Sequence, residues 1–404
     1  MSYTYSNEIK YTDSANLDAF GRLRTSNLTT LLDIKHSYDK LPLLVDEEIG
    51  GGASSVWGDA SVSMSTGADE EFVVRQTIKS APYQSGKSQL FEASFSKFNI
   101  ESNVIKRVGY YTSTTVSPYD GGFDGFFLES NGVTNEISFQ IWKGGTSILN
   151  VDTSSWLSTD YNVALMNWSK VNLILVDFQW LGVGRVRFYM VIDGTPRLFY
   201  ANTAIGNIDT VYMDHPNKPI RYEIRQDGSG SGEFCMICSG VAMEGSINSL
   251  YHQVSVTDFT ERTLPTGGTA YALLGIRLNG NTSYAGTVST ISQVDVLQTS
   301  NDNYLVSIQK APGLSGSPSW NAITNTPLQY SLGTGVLTVS TPGLVITSTM
   351  GKSGSVMSES LQMTDSVFSL GYYIDGTPEE WWVCIQAVGS NAKFRTNVKF
   401  NYYL

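Results

Sequence analysis

Eight residues come close to a phosphate-binding loop: Ala81-Pro-Tyr-Gln-Ser-Gly86-Lys87-Ser88. Such a loop needs Gly first, because its backbone amides crowd the phosphates, and it opens a helix. Here Ala81 stands first, Pro82 removes an amide, and an alternating strand pattern follows. The segment reads as a polar hairpin. Gly228-Ser-Gly-Ser-Gly232 has the glycines of a nucleophile elbow but puts Gly230 where the serine belongs. His36, His215 and His252 lie in three separate segments, and none comes with the carboxylate and nucleophile of a triad. They read as surface or turn residues. Cys235-Met-Ile-Cys238 has metal or redox spacing but no second pair. It falls in a strand-like run, where residues three apart face opposite ways, so the thiols read as small apolar groups.

Glycoside cleavage needs two carboxylates facing one bond. The single-strand pattern Glu-x-Asp-x-x-Glu of jelly-roll glycosidases is absent from the sequence. Asp46-Glu47-Glu48 and Asp69-Glu70-Glu71 read as solvated loop clusters. Asp120-Gly-Gly-Phe-Asp124-Gly could offer oxygens to calcium, but a Gly-rich turn is the favoured reading. Trp142, Trp156, Trp168 and Trp180 are candidate sugar platforms set against the usual fate of Trp in a sandwich, which is the core. These residues together predict no enzyme, no cofactor and no metal site.

The elements that would position them are strands. Of 404 residues, 12% are aromatic, 38 are Gly and only 16% are charged, a β-rich composition. The net charge of −11 argues against nucleic acid and against anionic membrane surfaces, since both select for surplus Lys and Arg. No apolar run approaches a membrane span. The N-terminus has no signal-peptide pattern, so the expected product is made and kept in a cytoplasm or leaves by a route other than secretion.

From Asp177 to Gly194, Val186, Phe188, Met190 and Ile192 alternate with Arg185, Arg187 and Tyr189, and Asp193-Gly194 supplies a tight turn. Similar alternation recurs at Ala60–Met64, Phe72–Ile78, Gln89–Phe98, Gly125–Leu128, Glu136–Trp142, Val171–Phe178, Arg197–Ala201, Ile220–Arg225 and Phe234–Val241. This spacing predicts a sandwich or jelly roll over 61–245. A second β-sandwich is expected over 246–404, after the joint Gly245–Ser249. Residues 1–60 are polar with scattered apolar anchors, and Leu28, Leu31, Leu32 and Lys35 have helical spacing. They are expected to form an extended arm that orders on a neighbour.

The segment Asp18-Ala19-Phe20-Gly21-Arg22-Leu23-Arg24-Thr25-Ser26 resembles a motif near the N-terminus of structural proteins of tailed bacteriophages, many from marine and cyanobacterial hosts. Further blocks are similar to the same family, in order: Arg75-Gln76-Thr77 with Pro82–Gln89, Arg107-Val-Gly-Tyr110, Gly125-Phe-Phe-Leu-Glu129 and Asp177–Gly194. Val211-Tyr-Met213 with Pro216, Pro219 and Arg221-Tyr-Glu-Ile224 comes next, then Cys238 with Glu244-Gly245. The resemblance covers about 230 residues, and the C-terminal block shares only its overall character. It implies an all-β chain with a concanavalin- or laminin-G-like jelly-roll sandwich behind the N-terminal arm. It implies a non-enzymatic virion component of a tail, fibre or head appendage, assembled in the host cytoplasm. The implied partners are other virion proteins (tail, portal or neck, or capsid), further copies in a homotrimer, and a host surface glycan. In the docking motif, Phe20 and Leu23 would fill a partner's pockets, Gly21 would permit a bend, and Asp18, Arg22 and Arg24 would supply polar contacts. The alternative is a carbohydrate-binding or polysaccharide-depolymerising module of a phage tailspike.

Overall fold

The computed structural model describes residues 26–156, 166–180, 185–202, 210–246, 252–280, 286–332, 337–352 and 369–403. The docking motif Asp18–Arg24 lies outside them. The chain divides into two compact units: Met1–Thr77 with Ala81–Asn248, and Ile78–Ser80 with Ser249–Leu404.

In the first unit the strands are β1 (Leu28–Lys35), β2 (Val45–Gly50), β3 (Ser54–Gly58), β4 (Ser61–Thr66), β5 (Phe72–Thr77), β6 (Gln89–Ser96), β7 (Val104–Thr112) and β8 (Asp124–Asn131). They continue with β9 (Glu136–Lys143), β10 (Thr146–Asp152), β11 (Asn172–Phe178), β12 (Val186–Ile192), β13 (Thr195–Asn202), β14 (Ile220–Gln226) and β15 (Gly232–Glu244). One sheet runs β13-β12-β11-β6-β15-β4-β3, with β1 on the free half of β15; the other runs β10-β9-β8-β7-β14-β5-β2. All pairings are antiparallel, as a jelly roll requires. Alternation sets the register. In β6, Phe91, Ala93 and Phe95 are fully buried while Glu92 is exposed. Rings of the two sheets meet across the core, with Phe91 and Phe126 5.9 Å apart edge to face and Phe139 stacked on Phe188 at 4.9 Å.

The Asp177–Gly194 segment spans β11 and β12, and Asp193 and Gly194 both take positive φ, 51° and 72°, at the hairpin to β13. The β12 strand lies next to the edge of its sheet, with only β13 outside it. Its polar face is also closed: Arg187 and Asp177 form a buried ion pair.

Several expectations are corrected. Residues 28–58 are no detached arm, because β1, β2 and β3 complete both sheets. Their helical spacing has a local cause. A bulge at Leu31 breaks the period of two, so that Leu31 and Ile34, three apart, are both buried in the core. A second bulge lies between Met236 and Cys238, where Cys235 pairs with Ser96 and Cys238 with Ser94. Both cysteines therefore occupy the same face of β15. Both are free, and the described residues contain no group of three metal-ligating side chains.

His36 is the third correction. It is fully buried in the sandwich rather than at the surface. Arg75 Nε donates to the Tyr222 hydroxyl at 3.0 Å, and that hydroxyl lies 2.7 Å from His36 Nε2. His36 Nδ1 sits 3.2 Å from the Asp39 carbonyl. This arrangement suits the neutral imidazole with its proton on Nδ1. Glu47 also proves to be half-buried, bonded to Lys40, Ser55 and Arg75 rather than solvated.

The second unit packs two further sheets. One contains Ala392–Tyr403 between His252–Thr257 and Val288–Gln298, with Ser369–Leu370 and Arg262–Leu264 attached. The other centres on Ala270–Leu278, Trp381–Ala387 and Tyr304–Lys310. Leu274, Ile276, Val306, Val383, Phe394 and Phe400 fill the space between them. It is a second β-sandwich.

Burial, reinforced by the Arg75 charge, lowers the His36 pKa from 6.5 to about 4. A group whose folded pKa is depressed binds more protons unfolded, so its contribution to stability is lost as pH falls from 6.5 through 4. Denaturant midpoints measured between pH 6.5 and 4.5 should fall with pH. The full contribution is on the order of 3 kcal/mol, and the slope in that window should flatten in His36→Gln.

Candidate functional site

The outward face of the β10-to-β2 sheet carries charge where a solvated sheet would carry scattered polar groups. The register aligns Glu129 on β8, Arg107 on β7 and Glu223 on β14 in one cross-strand row. Arg107 Nε donates to Glu129 at 2.6 Å, and its Nη1 donates to Glu223 at 2.6 Å and to Asp120 at 2.8 Å. Arg221 donates to the other Glu223 oxygen at 2.9 Å, and Arg225 lies 3.6 Å away. Opposite charges directly across strands stabilise the sheet, and bidentate guanidinium geometry fixes direction as well as energy. Burial works against ionisation of Glu223, but Arg221, Arg225 and Arg107 outweigh it and hold its pKa down to about 2.

The segment Ser113–Phe123 folds over this row. Thr114 N–H donates to the Gly121 carbonyl at 2.8 Å, and the Ser113 hydroxyl donates to the Tyr119 carbonyl at 2.7 Å. Arg221 donates to the same Tyr119 carbonyl at 2.7 Å, which ties the loop to the sheet. Phe123 covers Arg107, with its ring centroid 4.7 Å from the guanidinium carbon. Beneath it Gly109 pairs with Phe127 and Gly125 with Tyr111. A Cβ at Gly109 would stand 2.2 Å from the Phe126 carbonyl oxygen, so the bare positions let the two strands close. The rings of Tyr111 and Phe127 then meet at 4.7 Å.

Beside the loop lies a cleft of about 360 Å³, lined by Trp142, Gln140, Asn131, Glu129, Glu136 and Asn150 among others. Trp142 is half-buried, set edge to face against Phe123 at 5.5 Å. Its Nε1 donates to Gln140 at 2.7 Å, and Gln140 Nε2 donates to Glu129 at 2.9 Å. Asn131 also donates to Glu129, at 3.2 Å. A relay from Trp142 through Gln140 and Glu129 to Arg107 thus holds an aromatic surface and several amides in fixed positions. Such a cleft can stack a ring and exchange hydrogen bonds. Glu223 is inaccessible and stays ionised, so it cannot serve as a general acid.

The other candidate residues go elsewhere. Trp156 is buried in the core, its Nε1 donating to Val151 at 3.1 Å. Trp168 and Trp180 pack against the core, and Trp180 donates to the Met213 carbonyl at 2.9 Å. Asp120 and Asp124 do not converge on a cation: Asp120 serves Arg107, while Asp124 pairs with Lys218 and accepts the Asp214 amide at 2.8 Å. Glu71 accepts backbone amides from Gly67 and Gly52 at 2.6 and 3.0 Å, which makes it a turn-holding carboxylate rather than a solvated one. His252 is exposed and stacks on Tyr402. Gly86–Ser88 leads into β6, a strand, as expected of a hairpin. Of the four tryptophans, only Trp142 lines a described cleft. Sequence reading passed over the Arg107, Glu129 and Glu223 row. Its available signal was Arg221-Tyr-Glu-Ile-Arg225, where charges of both signs occupy one face of a strand whose other face is apolar.

No protein-family model and no curated protein matches the chain. Solved structures with a similar fold include a β-glucanase of Bacillus licheniformis, 11% identical, covering 54% of this chain and 99% of that one, with a TM-score of 0.37. The exoplasmic/lumenal domain of VIP36 in a Ca2+/Man3GlcNAc-bound form is 12% identical, covering 55% and 92%, with a TM-score of 0.38. Peanut lectin with a 9mer peptide is 8% identical, covering 55% and 100%, with a TM-score of 0.36. At these identities and scores the likeness says nothing of ligand or activity.

Removing one member of a buried ionic cluster leaves the others uncompensated, at a cost of about 3 kcal/mol or more. Glu223→Gln should therefore lower the Tm of the first unit sharply at neutral pH. The wild-type contribution of Glu223 should be present above pH 4.5 and disappear as pH falls toward 2, the direction set by its depressed pKa.

Proposed function

We propose that this chain is a non-enzymatic component of a bacteriophage virion that recognises a glycan through the Trp142 cleft of its first sandwich. The observation that carries the glycan reading is the pre-positioned Trp142 ring beside Gln140, Asn131 and Asn150 in one cleft. A pyranose offers an apolar ring face to stack and hydroxyls to bond, and the cleft answers both. Non-enzymatic action is supported by how Glu129 and Glu223 are used. Glu129 accepts from Arg107, Gln140 and Asn131, and Glu223 is sealed among arginines.

The virion reading is supported by the ordered sequence blocks and by the docking motif. Asp18, Phe20, Gly21, Arg22, Leu23 and Arg24 would bind another virion protein, and the sandwich would face outward as a copy in a homo-oligomer. The β1 strand begins at Leu28, so a deletion meant to remove docking alone has to stop short of it.

Trp142→Ala should weaken binding of the recognised glycan by roughly tenfold or more on a glycan array followed by calorimetry, without lowering the Tm by more than a few degrees. Release of shortened saccharides from that glycan by the wild-type protein would overturn the non-enzymatic assignment. Deleting residues 1–25 should yield a folded, glycan-binding protein that no longer co-sediments with particles; normal incorporation of the truncated chain would refute the docking role.

A further inference from the structure

The Trp142 cleft has a neighbour across the loop. Asp120 forms part of its wall and also part of the wall of a second cleft, of about 470 Å³, on the other side. Glu70, Phe72, Pro118, Arg225 and Asp227 complete much of that second lining. From Asn150 on β10 to Phe72 on β5 the two clefts cross six adjacent strands, a span of about 24 Å at the usual strand spacing. Arg225 is 7% exposed, and its buried Nε has no hydrogen-bond acceptor among the described residues. A buried donor left without a partner costs free energy until something supplies an acceptor. Arg225 lines the second cleft, and a shift of its side chain would offer that Nε to a ligand oxygen there.

The charges of the two clefts select the kind of ligand. Arg107, Arg221 and Arg225 are matched by Glu129, Glu223 and Asp120, three cations against three carboxylates. Glu136 in the first lining and Glu70, Glu71 and Asp227 in the second then remain as an excess of four negative charges. No spare cation stands in either lining to receive an acidic sugar, and like charges in a recessed site repel.

Building on the glycan-recognition reading, we propose that the ligand is an uncharged polysaccharide, bound through an internal stretch of several sugars that crosses both clefts past Asp120. The Trp142 side supplies the stacking surface, and the Arg225 side supplies the unspent donor. Acidic polymers are excluded by the excess of carboxylates.

The test uses the full chain and calorimetric titration with neutral glucan, galactan and mannan fragments, from disaccharide to decasaccharide, beside uronate fragments of the same lengths. The expected result is an affinity that rises by roughly tenfold or more with length in the neutral series that binds best. Uronates should bind roughly tenfold more weakly or worse at each length, with the gap narrowing as salt is added. Asp227→Trp places a bulky ring in the second cleft at an exposed position. It should remove the gain from length while leaving disaccharide affinity unchanged, with a Tm equal to wild type. A flat length profile, tighter binding of uronates, or an Asp227→Trp protein that keeps the full length gain would overturn the inference, and the first two readings need only the wild-type chain. Absence of binding by every fragment would instead overturn the glycan reading on which it rests.

Discussion

Glu223 is a carboxylate with no access to water, ionised down to a pH of about 2 because Arg107, Arg221 and Arg225 surround it. Desolvating such a charge is expensive, and only close, well-directed partners repay the cost. That requirement reaches well beyond one side chain. It fixes the register of β7 against β14, because Arg107 must stand opposite Glu223. It brings β8 into line, because the other side of Arg107 takes Glu129. It also draws the Ser113–Phe123 loop down, because Asp120 accepts from Arg107 and the Tyr119 carbonyl accepts from Arg221.

The clefts are a consequence of that loop. A sheet face left bare would be a broad open surface; with the loop seated across it, recesses form on both sides of Asp120. The ionic row then extends sideways by hydrogen bonds, through Glu129 and Gln140, to the indole of Trp142. An aromatic group held in this way has already given up its rotamer freedom, so less is lost when a ligand stacks on it. The same polar network that holds the sheet in register thus also fixes the Trp142 ring in its cleft.

Two bulges show where period-two reading of a strand stops working. At Leu31 an extra residue brings side chains three apart onto one face, which in one dimension looks like a helix. Between Met236 and Cys238 the same device places two cysteines on one face, although simple alternation separates them. Strand β7 escaped notice for a related reason. Lys106 and Arg107 stand in its middle and Gly109 interrupts its pattern, features that disfavour a buried strand when taken locally. Lys106 is tolerated because it donates to the carbonyls of Lys97 and Asn99 at 2.7 and 3.0 Å, and Arg107 because of its carboxylates.

The sequence by itself determined the all-β class, most strand positions in the first sandwich, the Asp193-Gly194 hairpin and the existence of a second strand-rich block. These follow from side-chain alternation and turn chemistry, which are local properties. It also placed Trp142 among four tryptophans that could meet a sugar. Only the tertiary structure decided which of them lines a cleft, because burial depends on which face of which sheet a residue occupies after closure. It likewise decided that Arg107, Glu129 and Glu223 form one row. They lie between 22 and 116 residues apart along the chain, and no short-range pattern reports a charge whose partner arrives from so far away.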